Sequence, residues 1–165
     1  MLGQNFNDLG SYIDFLDKIG DLKRISTEVD PELEISEISS KTIEDNGPAL
    51  LFENVKGSSF PVATNLFGSE ERLRVSLGCN PKELGEEILS FAEKAMPPKL
   101  DNLFKSFPFI KRLTNFRSKE QAFNSPCQQI QDEITLEDLP IIKCWPEDGG
   151  KFITMGLTIT ESPIS

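Results

Sequence analysis

The sequence predicts an α/β (α+β) N-terminal domain, with a small sheet covered by helices, followed by the first strands of a second, β-rich domain. Two short apolar runs, Ala49–Phe52 and Val62-Ala63, are bounded by glycine, proline and serine, which is typical of buried strands. Amphipathic helical patterns lie on both sides of this pair, so we expect helices to cover the sheet. The composition later shifts towards strands and loops, which predicts one domain at 1–118 and the start of another at 119–165.

Composition and charge exclude several classes of function. The chain has 165 residues, of which 38% are hydrophobic and 27% charged, as expected of a globular protein. Its formal net charge of −10 would repel a phosphate backbone, so nucleic acid is not expected as a partner. The chain contains no histidine, which excludes a Ser-His-Asp triad, a Cys-His pair and a histidine-ligated metal site within it.

The cysteines and the N-terminus predict a cytoplasmic location. Cys79, Cys127 and Cys144 are far apart and form no C-x-x-C motif, so neither a zinc ribbon nor a thioredoxin-type site is indicated. The first ten residues lack the basic and apolar regions of a secretory signal. No apolar run approaches the ~20 residues of a membrane helix. An odd number of thiols without a signal fits a reducing cytoplasm.

The first half of the chain shows a regular order of predicted elements. Asn7 or Asp8 can cap a first helix that Gly20 ends, and a short strand follows at Leu22–Ser26. Asp30 is expected as the N-cap of a second helix, with Pro31 at its first position. The strand pair comes next, and Leu50, Phe52 and Val62 are its predicted buried residues. Two further helices are predicted at these positions: from Ser69 to Gly78, and from Asn80-Pro81 to Met96-Pro97-Pro98.

The stretch Leu100–Lys119 combines aromatic with basic residues and has three interpretations. Its helical spacing favours two short amphipathic helices, broken at Pro108, with a basic outer face. Aromatic side chains interleaved with bases can also mark a single-stranded nucleic-acid site, which the net charge disfavours. The third interpretation is a boundary segment that docks on another domain.

The last forty residues predict strands and loops. We expect a strand at Ser125–Ile130, a turn at Leu136–Pro140 and a loop at Ile141–Gly150. Strict alternation from Phe152 to Thr160 predicts a half-buried strand. A turn at Ser162-Pro163 follows without a second strand, which predicts that the chain is a fragment of a longer protein.

These residues resemble the N-terminal part of the UbiD-type decarboxylases, the polyprenyl-4-hydroxybenzoate carboxy-lyases of ubiquinone synthesis and their relatives. Four stretches carry the resemblance: Asp21–Ser40, Gly47–Gly68, Pro126–Gln129 and Asp138–Thr160. The last is the most specific, because it joins the run Pro-Ile-x-x-Cys-Trp-Pro-Glu-Asp to a threonine-rich strand. The resemblance extends over essentially the whole chain.

The resemblance implies an enzyme that removes the carboxylate of aromatic or unsaturated acids with prenylated FMN, Mn²⁺ and K⁺. It implies a second domain that is a split β-barrel related to flavin reductases, a cytoplasmic homo-oligomer and an aromatic acid as substrate. A prenylated substrate would bring a peripheral association with the inner membrane. The metal ligands, the catalytic acids and most cofactor ligands of the family follow residue 165, so the chain alone is expected to be inactive.

The resemblance transfers one cofactor contact to this sequence. Thr154 matches a threonine that touches the flavin in relatives, and Met155 and Gly156 flank it. A hydroxyl can both donate and accept a hydrogen bond at the edge of a flavin ring. The alternative interpretation is a strand threonine on a solvated face.

The Cys-Trp-Pro-Glu-Asp run itself is expected to be structural. Cys144 has only Lys143 as an adjacent base, so burial is favoured over nucleophilic catalysis. Trp145 is expected to be an anchor rather than a substrate platform. Glu147 and Asp148 are adjacent, so their side chains diverge and more readily hold the loop than act as an acid/base pair. Beside the decarboxylase, two hypotheses stay open: a silent interaction or assembly module, and a small flavin-binding protein.

Overall fold

The structure is a computed structural model that describes residues 6–95, 129, 133–154 and 156. These fall into two compact units. One contains residues 6–76 and the described residues from 134 onwards, and the other contains the described residues between 77 and 133. In the described part of the chain the elements are α1 (Leu9–Lys18), β1 (Leu22–Ile25), α2 (Glu34–Glu44), β2 (Ala49–Phe52), β3 (Val62–Thr64), α3 (Glu70–Leu77) and α4 (Pro81–Ala95).

The sheet of the larger unit has three strands in the order β1-β2-β3. β1 runs parallel to β2, with Leu22 opposite Ala49, and β3 runs antiparallel to β2, with Thr64 opposite Leu50. β2 is therefore the central strand, and all four of its residues are buried. This confirms the predicted strand pair, and the small mixed sheet with its helices is an α+β domain.

The core lies on both faces of β2. Because successive strand side chains point to opposite faces, Leu50 and Phe52 pack on one side and Ala49 on the other. The first cluster contains Val29, Ile35, Leu50, Phe52 and Val55; the second contains Tyr12, Leu16, Ala49 and Val75. Leu50 and Phe52 are 2% and 0% exposed, as predicted, whereas Val62 on the edge strand is only partly buried.

Local capping explains where most of the helices begin. The Asp8 carboxylate accepts a hydrogen bond of 2.7 Å from the Ser11 N–H at the start of α1. The Ser69 hydroxyl accepts one of 3.1 Å from a backbone N–H in the first turn of α3. In α4 the Asn80 side chain accepts one of 3.0 Å from the Lys82 N–H. These side chains satisfy N–H groups that a helix leaves free at its start, and the predicted caps Asp8, Ser69 and Asn80 are confirmed.

The second helix begins later than predicted. We expected Asp30 as its N-cap and Pro31 as its first residue, but α2 begins at Glu34 with Leu33 at the N-cap. Leu33 has φ +70°, an uncommon value for a leucine. The cause is a distant contact, because the Leu33 N–H donates to the Lys143 carbonyl (2.9 Å) and the Lys143 N–H donates to the Pro31 carbonyl (3.1 Å).

The prediction of a strand that starts at Phe152 is wrong for the residues that the structure describes. Residues 152 and 153 are irregular, and Thr154 lies in a turn. The backbone N–H of Phe152 donates to the Ile142 carbonyl instead (3.1 Å), which turns the chain back onto the preceding loop. The turn at 136–138 and the loop at 141–150 are confirmed. The predictions for Leu100–Lys119, for Ser125–Ile130 apart from Gln129, and for 157–160 lie outside the described residues.

Candidate functional site

The segment 134–154 packs against the domain formed by residues 6–76 and creates the concave surface of the larger unit. In addition to the backbone hydrogen bonds of Lys143 with Pro31 and Leu33, the Ser58 hydroxyl donates a hydrogen bond of 2.7 Å to the Asp138 carbonyl. The Asp138 carboxylate accepts bonds from the Thr135 N–H (2.7 Å) and hydroxyl (2.9 Å). The hydrogen bond from the Thr135 N–H has the larger effect and that from its hydroxyl the smaller, and both lower the pKa of Asp138 below its ordinary value. The carboxylate is therefore charged and holds the turn.

The Cys-Trp-Pro-Glu-Asp run forms a tight turn that Asp148 closes. Its carboxylate accepts hydrogen bonds from the backbone N–H groups of Cys144 (3.2 Å) and Trp145 (2.8 Å). The predicted role of holding the loop is confirmed for Asp148, whereas Glu147 is exposed. Cys144 is a half-buried free thiol. Trp145 is 66% exposed, so it is not a buried anchor within the described residues.

A first cleft lies between α2 and this turn. It has a volume of about 750 Å³ and a mostly apolar lining. The lining residues are Glu32, Leu33, Glu34, Ser36, Glu37, Ser39, Ser40, Thr64, Ile142, Cys144, Trp145 and Pro146. Glu32, which lines this cleft, forms an ion pair of 3.3 Å with Lys143, so the turn is held to the segment before α2 by charge as well as by backbone bonds.

The second cleft lies beside the edge strand β3 and contains the predicted cofactor contact. Its volume is about 300 Å³, and Thr154 is among the residues that line it. Apolar side chains make up most of the remaining lining: Val62, Ala63, Leu139, Pro140, Ile141, Ile142, Phe152 and Ile153. Thr64 lines both clefts, and its hydroxyl lies 2.8 Å from that of Ser39. Thr154 is exposed and can reach a molecule in this cleft.

The neighbours of Thr154 contribute less. Met155 lies outside the described residues. Gly156 is exposed, and an added Cβ would meet only ordinary contacts, 3.7 Å and 3.8 Å from atoms of Ile153. A glycine is therefore not required there for space.

The described residues fit part of a flavin. A hydroxyl at Thr154 beside an apolar wall suits the edge of a flavin ring, but neither cleft has a lysine or arginine among its lining residues to hold a phosphate. Within residues 6–95 and the later described positions there is no group of three acidic, cysteine or histidine side chains that could hold a metal. No helix among the described residues is long and apolar enough to cross a membrane.

A buried arginine on the other side of the sheet escaped the sequence analysis. Arg72 is 3% exposed, and its guanidinium forms an ion pair of 2.8 Å with Asp21 and donates to the Gly47 carbonyl (3.1 Å). The side-chain amide of Asn65 donates to the same carbonyl (3.2 Å). The available signal was the position of Arg72 three residues before the buried Val75, on the inner face of α3. The network joins α3 to the start of β2, and its residues line neither cleft.

Comparison with known proteins identifies the family. The family model of the 3-octaprenyl-4-hydroxybenzoate carboxy-lyase N-terminal domain matches residues 13–92. The model of the Rift-related domain of the same carboxy-lyase matches residues 118–165. Together these ranges take in more than half of the chain.

Solved structures of UbiD-class enzymes are similar to this chain. Vanillic acid decarboxylase from Sedimentibacter hydroxybenzoicus, in closed form, is 24% identical over 90% of this chain and 29% of its own, with a TM-score of 0.61. The open form of the same enzyme is 24% identical over 90% of this chain and 30% of its own, with a TM-score of 0.58. The UbiD-class enzyme HmfF from Pelotomaculum thermopropionicum, in complex with prFMN, is 34% identical over 52% of this chain and 19% of its own, with a TM-score of 0.44.

The α+β fold is thus similar to that of part of the vanillic acid decarboxylase, and the two family models are those of two domains of the UbiD carboxy-lyases. The chain belongs to the UbiD family. It spans between 19% and 30% of the length of the solved relatives described above.

Proposed function

We propose that this chain is the N-terminal portion of a prenylated-FMN-dependent decarboxylase of aromatic or unsaturated carboxylic acids. The observation that carries the proposal is the pair of consecutive carboxy-lyase family models, matched at 13–92 and 118–165. HmfF holds prFMN in its structure, but we base the cofactor on the family, because the structural similarity to HmfF is low. We further propose polyprenyl-4-hydroxybenzoate as the acid, a role in ubiquinone synthesis, and a domain boundary near 118/119.

The described residues would supply one wall of the cofactor site. The Thr154 hydroxyl would form a hydrogen bond with the edge of the flavin ring. Phe152, Ile153 and Leu139, which line the same cleft, would exclude water from that edge. When bound, the cofactor supplies an electron sink for the carbon from which carbon dioxide departs. We propose that phosphate, Mn²⁺, K⁺ and the proton donor are held by parts of the protein beyond this chain.

The proposal includes the assembly and location of the whole protein. We propose a cytoplasmic homo-oligomer, and a peripheral association with the inner membrane where the substrate carries a prenyl chain. The absence of cationic residues from the lining of both clefts disfavours a small protein that binds flavin by itself. A single neutral hydrogen bond contributes about 0.5–1.5 kcal/mol, whereas millimolar affinity requires about 4 kcal/mol.

The first experiment compares the 165-residue chain with the protein expressed from the complete reading frame. Each is mixed with prenylated FMN, manganese, potassium and a panel of aromatic acids, and release of carbon dioxide is followed. We expect turnover only from the complete protein. Turnover by the chain above the protein-free control would show that the missing part is dispensable.

The second experiment tests Thr154 in the complete protein. Replacing Thr154 by valine removes the hydroxyl at nearly constant volume, and we expect flavin binding to weaken by about two- to tenfold. Thr154→Ser should restore most of the affinity. The matched control is Thr27→Val, since Thr27 is exposed and lines neither cleft. Equal flavin affinity in the Thr154 and Thr27 variants would contradict the assignment.

A further inference from the structure

The first cleft shares only Thr64 and Ile142 with the cleft that contains Thr154, and it has the form of a binding site of its own. Its volume of about 750 Å³ lies within the range of about 300–1,000 Å³ that is typical of ligand sites. Leu33 and Ile142 contribute apolar surface, and Trp145 and Pro146 continue this surface on the side of the turn. A groove of this kind can accept apolar side chains of a partner.

The charge of the cleft favours a cationic partner. Three glutamates, Glu32, Glu34 and Glu37, are among its lining residues, and no lysine or arginine lines it. Two of them have a single lysine nearby: Lys143 lies 3.3 Å from Glu32 and Lys41 lies 2.9 Å from Glu37. The carboxylate of Glu34 accepts a neutral backbone N–H, that of Asp30, at 2.7 Å, and it forms no ion pair with a lysine or arginine among the described residues. The surplus is negative, and the net charge of −10 adds to it, so cations are favoured.

Trp145 provides the second element of recognition. Its side chain is 66% exposed, and the two backbone bonds to Asp148 hold the turn that carries it. The face of an indole ring attracts lysine and arginine side chains more strongly than other aromatic rings do. An exposed tryptophan, on a turn whose backbone is held and in a cleft lined by carboxylates, therefore suits a basic side chain that also contacts apolar surface.

We propose that this cleft docks a basic peptide segment of a partner protein. A lysine or arginine of the segment lies against Trp145 and the carboxylates of Glu34 and Glu37, and an apolar side chain next to it packs on Leu33 and Ile142. The argument is the complementarity of charge and apolar surface, and it is independent of the proposed enzyme activity.

The test uses the full 165-residue chain and a defined probe, the peptide acetyl-Lys-Leu-Arg-Leu-Lys-amide. Trp145 is the only tryptophan in the chain, so its fluorescence reports on this cleft alone. We expect a saturable blue shift on titration, and binding that weakens several-fold between about 20 and 500 mM salt because exposed charges are screened. The matched probe acetyl-Glu-Leu-Gln-Leu-Glu-amide should give no saturable shift. Equal binding of both peptides, or of neither, would overturn the proposal.

Charge-neutral variants locate the binding. Glu34→Gln with Glu37→Gln keeps the shape and one acceptor oxygen of each side chain, and we expect about two- to tenfold weaker binding, as for loss of two exposed ion pairs. Glu28→Gln with Glu44→Gln changes the net charge equally at exposed positions outside the cleft, and binding should not change. An equal loss of peptide binding in the two double variants would show that binding depends on net charge only, and it would refute a specific site.

Two further measurements separate the alternatives. Calorimetry should show that Trp145→Ala binds the peptide about three- to tenfold more weakly. The circular dichroism spectrum of this variant should match that of the parent chain. Sedimentation of the free chain tests whether a second copy occupies the cleft. Self-association that the Glu34→Gln/Glu37→Gln variant abolishes would replace the peptide partner with another copy of this chain and overturn the proposal.

Discussion

Replacing Phe52 by alanine should strongly destabilise the larger unit. Phe52 is 0% exposed on the central strand β2 and packs in one cluster with Val29, Ile35, Leu50 and Val55. Removing a buried phenylalanine side chain costs about 3–5 kcal/mol, because apolar contacts are lost and a cavity remains. This is a large part of the about 5–15 kcal/mol that stabilises a typical domain.

The loss of stability on replacing Phe52 can be compared with that for another residue of the same cluster and for an exposed residue. Ile35 is also 0% exposed, and Ile35→Val removes one methylene group, so we expect a loss of about 0.5–1.5 kcal/mol. Glu44 is exposed at the end of α2, and Glu44→Ala should change stability by no more than about 0.5 kcal/mol. The expected order of destabilisation is therefore Phe52→Ala, then Ile35→Val, then Glu44→Ala.

Urea denaturation followed by far-ultraviolet circular dichroism measures these differences. With a slope of about 2 kcal/mol per M, Phe52→Ala should lower the midpoint by about 1.5–2.5 M at unchanged slope. Equal midpoints for the Phe52 and Glu44 variants would refute the assignment of β2 as the buried centre of the sheet. A midpoint for Ile35→Val below that of Phe52→Ala would refute the packing argument.

Three further predictions concern contacts outside this cluster. Asp21→Asn removes the charge that faces the buried Arg72, and we expect a loss of about 1.5–3 kcal/mol, measured as a lower thermal midpoint. Gly68→Ala should cost about 1–3 kcal/mol in the same assay, because its Cβ would overlap the side-chain oxygen of Asn65. The pKa of Asp138 is lowered by folding, so its contribution to stability is present above the ordinary pKa of about 3.9 and is lost as the pH falls through the lower folded value. Carboxyl chemical shifts followed by acid titration give this pKa.

Each of these predictions has a control variant or an outcome that would contradict it. Gly149→Ala should be nearly neutral, since an added Cβ there meets nothing within 4 Å. If it destabilised as much as Gly68→Ala, the steric argument would be wrong. Asp138→Asn should remove only the part of the acid dependence that Asp138 contributes, since the pKa of Asp30 is also lowered, first by its hydrogen bond with Lys56. A pKa of the Asp138 carboxyl at or above 3.9 would contradict the hydrogen bonds to Thr135. If Asp21→Asn left the thermal midpoint unchanged, the ion pair with Arg72 would have no net effect.

The sequence predicted those parts of the fold that depend on neighbours in the chain. The apolar runs at β2 and β3 lie between turn residues, and the caps Asp8, Ser69 and Asn80 bond to the first turn of their own helices. Such contacts span two or three residues, so the residue types alone reveal them. The UbiD resemblance was also available from the sequence, because it rests on consecutive residues.

Contacts between distant residues decided the rest. Lys143 pairs with residues 31–33, more than a hundred positions earlier, and this pairing delays the start of α2 and closes the first cleft. The bond from Phe152 to Ile142 replaces the expected start of a strand and places Thr154 in a turn beside the second cleft. Periodicity carries no information about which loop returns to which helix. The sequence by itself determined the central strands, the caps of three helices and the family. Only the tertiary structure decided where α2 begins and where the later segment docks, because docking depends on shape and hydrogen bonding between surfaces that local residue patterns do not encode.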